Sequence, residues 1–218
     1  MPPAADVVVL FDLDGVLADS RGPITACINL ALADHGLPTH DPADLARHIG
    51  PPLPDAFAEI VGAPVGSDIV LACIASYRER YAVASLTDTA AFPGIADVLA
   101  RLAGEGHRLG VATSKPGPLA EPLLETLGLL GFFEVVAAPE MDLAVQSKTE
   151  TVGQALAALG ARGGAMVGDR SFDMIAARAH GLRAVGVGWG IGGRDELTAA
   201  GADVIVATPA ELPAAVAA

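Results

Sequence analysis

Aromatic side chains are scarce in this chain, 4% of 218 residues, so its interior cannot rest on large rings. Apolar residues still make up 52%, which excludes disorder and predicts helices packed closely through small side chains such as alanine. Cysteine is almost absent. Cys27 and Cys73 are the only two, and both lie in apolar helical patterns, which points to buried thiols rather than a disulfide framework. Basic residues are few as well, 13 Lys and Arg against 26 Asp and Glu, giving a formal net charge of −13. Such a field repels nucleic acid and anionic membrane surfaces, and it offers a phosphorylated ligand little long-range steering. The sequence has no run of about 18 apolar residues and no basic start followed by a long apolar stretch. A cytoplasmic protein with no membrane partner is therefore expected. His35, His40, His48, His107 and His180 show no HExxH or paired metal spacing, and no P-loop pattern occurs.

What is present begins at residues 7–20, VVVLFDLDGVLADS. Residues 7–11 form an apolar run without alternation, which predicts a central parallel strand covered on both faces. Asp12 and Asp14 stand at its carboxyl end, where open α/β sheets bind ligands. Carboxylates are costly to place there without a function; the competing reading is that they cap a helix or form a turn. Other strand ends repeat the pattern. An apolar segment at 109–112 ends in Thr113, Ser114 and Lys115, with Pro116 at a helix start. A third at 165–167 ends in Gly168, Asp169 and Arg170, with Asp173 four residues after Asp169. Lys148 opens an apolar-periodic helix between them.

Along the chain, helical spacing runs from Ile24 to Leu32 and stops at Gly36 and Pro38. Further helices are expected near 42–48, 53–61 and 66–84, with no strand between Ser20 and Phe92. An all-helical insertion in an otherwise α/β chain reads as a small cap, residues 21–92, on a core of 1–20 and 93–218. From Pro93 onward helices and strands alternate. Strands are expected at 108–112, 134–137, 165–167, 184–187 and 203–206, which implies a doubly wound parallel sheet. Gly188, Gly190 and Gly193 satisfy GxGxxG, but late in the chain, crowded by Gly192 and with no acidic residue about 20 positions on. They read as a glycine-rich turn and not a dinucleotide site. Trp189 among them is expected to be packed.

The ordered set DLDG, Thr113, Lys148 and GDRSFD resembles the haloacid dehalogenase superfamily of hydrolases. The resemblance spans about 7–212, and four motifs in order are far more specific than one. IGPPL at 49–53, TSKP at 113–116 and GDR at 168–170 are most similar to its phosphoglycolate phosphatase and nucleotidase branch. Val16 departs from the Thr that many members carry, and it also occurs in sugar phosphomutases.

This resemblance implies an α/β core with a doubly wound parallel sheet and a small helical cap inserted after the first strand. It implies a Mg²⁺-dependent phosphatase acting on a small phosphorylated metabolite, phosphoglycolate-like or a nucleoside monophosphate. Asp12 would be the nucleophile, forming a phosphoaspartyl intermediate, and Asp14 the general acid and then base. Mg²⁺ would be held by the Asp12 side chain, the Asp14 backbone carbonyl and Asp169. Asp173 would orient Asp169 or a metal-bound water; otherwise it is a first-turn helix acid. Leu13, Thr113, Ser114 and Lys148 would bind the phosphoryl group. Lys115 competes for the cationic role, as a substrate contact or a solvated helix-start residue. Arg21, His48 and Gly50 would contact substrate from the cap, or be a solvated helix-start charge and a surface turn. A sugar phosphomutase, favoured by Val16, and a non-catalytic phosphate-binding module are the alternatives. A monomer or a homodimer is expected.

Overall fold

Residues Val8–Phe11 have no polar face, and all four are buried, as a strand covered on both sides requires. This strand, β1, is central to the computed structural model, which describes residues 7–141 and 146–217. The next elements are β2 (Ala18–Asp19), α1 (Arg21–Asp34), α2 (Pro42–Leu45), α3 (Leu53–Val61), α4 (Asp68–Thr87) and β3 (Ala90–Ala91). Then follow α5 (Ile95–Gly104), β4 (Arg108–Ala112), α6 (Gly117–Thr126), β5 (Val135–Ala137), α7 (Lys148–Ala158) and β6 (Gly164–Gly168). The chain continues with α8 (Ser171–Ala179), β7 (Arg183–Val187), α9 (Arg194–Ala199), β8 (Val204–Val206) and α10 (Leu212–Val216).

Six strands form one sheet in the order β5-β4-β1-β6-β7-β8, and every pairing in it is parallel. The doubly wound parallel sheet expected from the alternation is therefore found. Chain order departs from β1 in both directions, toward β4 on one side and β6 on the other. That divergence opens a crevice at the carboxyl edge, where ligands of such sheets bind. Register is matched there, with Phe11 opposite both Val111 and Val167, so the three strands end nearly level. On one face Val8, Leu10, Met166 and Ala184 pack with Val152, Leu156 and Met174. Each large side chain so buried contributes about 1.5–3 kcal/mol.

The chain divides into two compact units, Met1–Asp19 with Ala90–Ala218, and Ser20–Thr89. The second unit contains α1 to α4. Within it α1 packs on α4, Phe57 meets Tyr77 edge to face at 5.7 Å, and Tyr77 stacks on Tyr81 at 5.2 Å. Cys27 and Cys73 are buried free thiols. An exposed ion pair joins Arg80 to Asp34 at 2.6 Å.

Some elements differ from expectation. The span between Ser20 and Phe92 does contain a strand, β3, which pairs antiparallel with β2; two residues are too short to show a period. Both α9 and α10 are found where no helix is expected, because five or six residues carry little helical pattern. Pro116 is the N-cap and α6 begins at Gly117.

Candidate active site

Each strand around the crevice delivers one polar residue as its apolar run ends: Asp12 after β1, Thr113 after β4 and Asp169 after β6. Lys148 arrives differently. Ser147 caps α7, its hydroxyl accepting the Glu150 N–H at 3.2 Å while Glu150 accepts the Ser147 N–H at 2.8 Å. This reciprocal cap makes Lys148 the first helical residue. A cation at a helix N-terminus opposes the dipole, so other charges must hold it. They do: the Lys148 ammonium lies 2.8 Å from Asp12 Oδ1 and 3.0 Å from Asp173 Oδ1, and it donates to the Ala112 carbonyl at 3.0 Å. Burial alone depresses this ammonium's pKa, but Asp12 and then Asp173 outweigh burial and raise it.

Asp12 accepts both Lys148 and the Leu13 N–H, at 2.7 Å, on Oδ1. Oδ2 is thereby the oxygen left to be presented. Asp169 is fully buried; its Oδ2 accepts the Ile191 N–H at 2.6 Å, while its Oδ1 has no hydrogen-bond partner. Asp173 Oδ2 accepts the Arg170 N–H at 3.1 Å, and its Oδ1 faces Lys148 outside hydrogen-bond geometry. Oxygens of Asp12, Asp169 and Asp173 lie within 4.8 Å of one another. Burial pushes the Asp12 carboxyl up to about 6, against the pull of Lys148 and helped by Asp173. Burial also pushes Asp169 up to about 8, with Asp173 and Asp12 adding to it. Three crowded acids with one lysine between them, and an orphaned buried oxygen on Asp169, fit a hard divalent cation with oxygen ligands.

Backbone shape makes room for Asp169. Gly15 has φ 84°, and a β-carbon there would strike the Asp169 carboxyl group. The same overlap arises at Gly190, and at Gly192 a β-carbon would meet the Asp169 carbonyl. The glycine-rich turn at 188–193 therefore wraps this acid and supplies the Ile191 N–H. Nothing in the sequence distinguishes that use from an ordinary turn. Trp189, half-buried, donates Nε1–H to the Val16 carbonyl at 3.2 Å and meets Phe92 edge to face at 6.4 Å.

Asp14 is paired separately. Its two oxygens lie 2.8 and 2.9 Å from the Lys115 ammonium, whose side chain is only 3% exposed. The solvated reading of Lys115 is thus overturned, because a buried ammonium beside a carboxylate is held by that charge. The Lys115 N–H donates to the buried Thr113 Oγ1 at 3.1 Å, while Ser114 is exposed. Arg21, His48 and Gly50 belong to the second unit. There Arg21 is exposed at the start of α1, and Gly50 is exposed with φ 106°. His48 is buried, accepts from Arg47 Nε at 3.1 Å on Nε2 and has Nδ1 3.8 Å from Glu59. Burial lowers its pKa despite Glu59.

A parallel sheet thus gathers a strand-end carboxylate, a hydroxyl, a lysine and two further acids at one edge, an arrangement able to hold a divalent cation beside an anionic ligand. The chain belongs to the haloacid dehalogenase-like hydrolase family, whose model matches residues 9–187. It is 38% identical over 209 residues to the probable phosphatase IndB of Dickeya dadantii, covering 94% of this chain and 91% of that one. A 5′-nucleotidase of Pseudomonas aeruginosa is 37% identical over 193 residues, with 88% and 86% covered. Among solved structures, a predicted phosphatase from Clostridium acetobutylicum superposes with a TM-score of 0.88 at 31% identity, covering 94% and 95%. The chain is accordingly a phosphoric monoester hydrolase of this family.

Proposed function

We propose that the protein is a Mg²⁺-dependent phosphatase that hydrolyses a small phosphomonoester, phosphoglycolate-like or a nucleoside monophosphate, through a phosphoaspartyl intermediate on Asp12. The observation that carries the reading is the Asp12 carboxylate held on Oδ1 by Lys148 and the Leu13 N–H, with Oδ2 left to attack. Mg²⁺ would be held by Asp12, the Asp14 carbonyl and Asp169, with Asp173 behind, and when bound it supplies the positive charge that keeps these acids ionised beside a phosphate.

Asp12 Oδ2 forms a bond to phosphorus as the bond to the leaving oxygen breaks, and Asp14 gives its proton to that oxygen. Asp14 then takes a proton from water, whose oxygen attacks the same phosphorus and releases Asp12 and inorganic phosphate. Two easier steps replace one difficult step, and positioned proton transfer contributes about 10² to 10⁴-fold. Thr113 and the Ser114 amide bind phosphoryl oxygens, and Lys148 offsets the charge developing on them. The helical unit acts as a cap, with Arg21, His48 and Gly50 selecting the substrate. The working form is a cytoplasmic monomer or homodimer.

The test is phosphate release from phosphoglycolate, nucleoside monophosphates, hexose phosphates and p-nitrophenyl phosphate, with Mg²⁺ and with EDTA. Release that requires Mg²⁺ supports the reading, and the best compound names the substrate class. Hexose phosphate isomers formed without phosphate release favour the mutase instead, which Val16 alone supports. Binding of phosphate without any turnover revives the non-catalytic module.

A further inference from the structure

Lys115 is a buried cation to which the chemistry above gives no task. Burying an ammonium is costly unless its partners compensate, and this one meets both oxygens of the Asp14 carboxylate, at 2.8 and 2.9 Å. The two acids of the β1 turn are thus served by separate lysines. Asp12 takes Lys148 from the start of α7, and Asp14 takes Lys115 from the connection between β4 and α6. That connection is rigid. The Lys115 N–H is fixed on Thr113 Oγ1 at 3.1 Å, Pro116 restricts the next φ, and Gly117 begins α6. A carboxyl group anchored on this ammonium keeps one orientation: ionised it meets Lys115 through both oxygens, and protonated it keeps one oxygen on Lys115 while the other carries the proton to be donated. Misplacing a reacting group by about 1 Å can cost about 10²-fold in rate.

We infer that Lys115 is a positioning residue for Asp14, holding its carboxyl group in the orientation from which it protonates the leaving oxygen; this rests on the phosphatase reading. Lys115 itself forms no bond to phosphorus and transfers no proton. The proton passes from Asp14 to the leaving oxygen as the bond from phosphorus to that oxygen breaks and the Asp12 bond forms. Its effect must therefore follow the leaving group's need for a proton. An alkyl phosphate expels a strongly basic alkoxide and needs the acid, whereas p-nitrophenyl phosphate expels a weakly basic phenolate and does not. A lysine acting directly on the phosphoryl group would serve both compounds alike.

The experiment measures kcat/KM for alkyl phosphates (phosphoglycolate, glycerol phosphate and a nucleoside 5′-monophosphate) and for p-nitrophenyl phosphate, in wild type, Lys115→Met, Lys115→Arg and Asp14→Asn. The ratio of alkyl to aryl kcat/KM is independent of the fraction of enzyme that is folded, so a partly unfolded variant still reports. Lys115→Met is expected to lower that ratio about 10 to 100-fold, Asp14→Asn at least as far, and Lys115→Arg to restore it to within about threefold of wild type. Equal losses on both substrate types, or an unchanged ratio, overturn the inference. If wild type turns over neither type, the phosphatase reading fails and takes the inference with it.

Discussion

A β-carbon placed on Gly168 would overlap the β-carbon and carboxyl group of Asp173. Gly168 closes β6 and Asp173 sits in the first turn of α8, so the absence of one side chain sets where the other can reach. Gly168→Ala is expected to push Asp173 off the Lys148 ammonium, costing about 1–3 kcal/mol of stability as overpacking does. It should also lower kcat at least about tenfold, since a shift of about 1 Å can cost more. Urea unfolding and phosphate release check this, and wild-type values in both would show that the helix yields without consequence.

Asp12→Asn should abolish turnover while leaving the fold intact. The amide keeps the shape and a hydrogen-bond acceptor for Leu13 but loses the carboxylate oxygen that the proposed mechanism uses as nucleophile. Thermal melting should stay close to wild type, with kcat reduced by more than about 100-fold. A variant that retains more than about a hundredth of the activity removes Asp12 from the nucleophile's role.

Lys148→Met leaves Asp12 and Asp173 buried without the cation between them. Removing one partner of a buried charge cluster costs about 3–5 kcal/mol, and on the proposed mechanism the loss of this cation beside the phosphoryl group should cost about 10² to 10³ in kcat. Lys148→Arg should recover stability better than activity, because a planar fork cannot reproduce a point contact to Asp12, Asp173 and the Ala112 carbonyl together. Equal recovery of both by arginine would argue that only the charge matters.

Much of this site was legible because apolar strands announce their own ends. Asp12, Thr113 and Asp169 follow apolar runs, and the apolar period that begins at Lys148 marks the helix that carries it, whereas the Ser147–Glu150 cap is a finding of the structure. Legibility failed where the information is not local. Lys115 follows a strand by three positions and looks like any helix-start lysine; only the fold brings Asp14, 101 residues away in sequence, against it. Gly190 and Gly192 look like a loose turn until Asp169 is seen inside it. The ribbon of β2 and β3 is held by cross-strand pairing of four residues with no pattern of their own.

Metal removal should expose a pH dependence of stability with a definite sign. Without a cation, burial raises the Asp169 carboxyl from 3.8 to about 8 and Asp12 from 3.8 to about 6. Between 3.8 and these raised values the folded chain keeps protons that the unfolded chain has released, so stability must fall as pH rises through that window. The contribution is complete below pH 3.8 and lost once pH passes about 8. In EDTA, Tm is therefore expected to decline from pH 5 to pH 8, and Asp169→Asn, which has no proton to lose, should flatten much of that slope. Mg²⁺ held by these acids, as proposed, would compete with those protons, so its stabilisation should be larger at pH 8 than at pH 5, reaching about 2.7 kcal/mol at a hundredfold excess over Kd. Melting curves at the two pH values, with Mg²⁺ and with EDTA, decide it. A Mg²⁺ effect that is equal at both, or that survives intact in Asp169→Asn, would place the cation elsewhere.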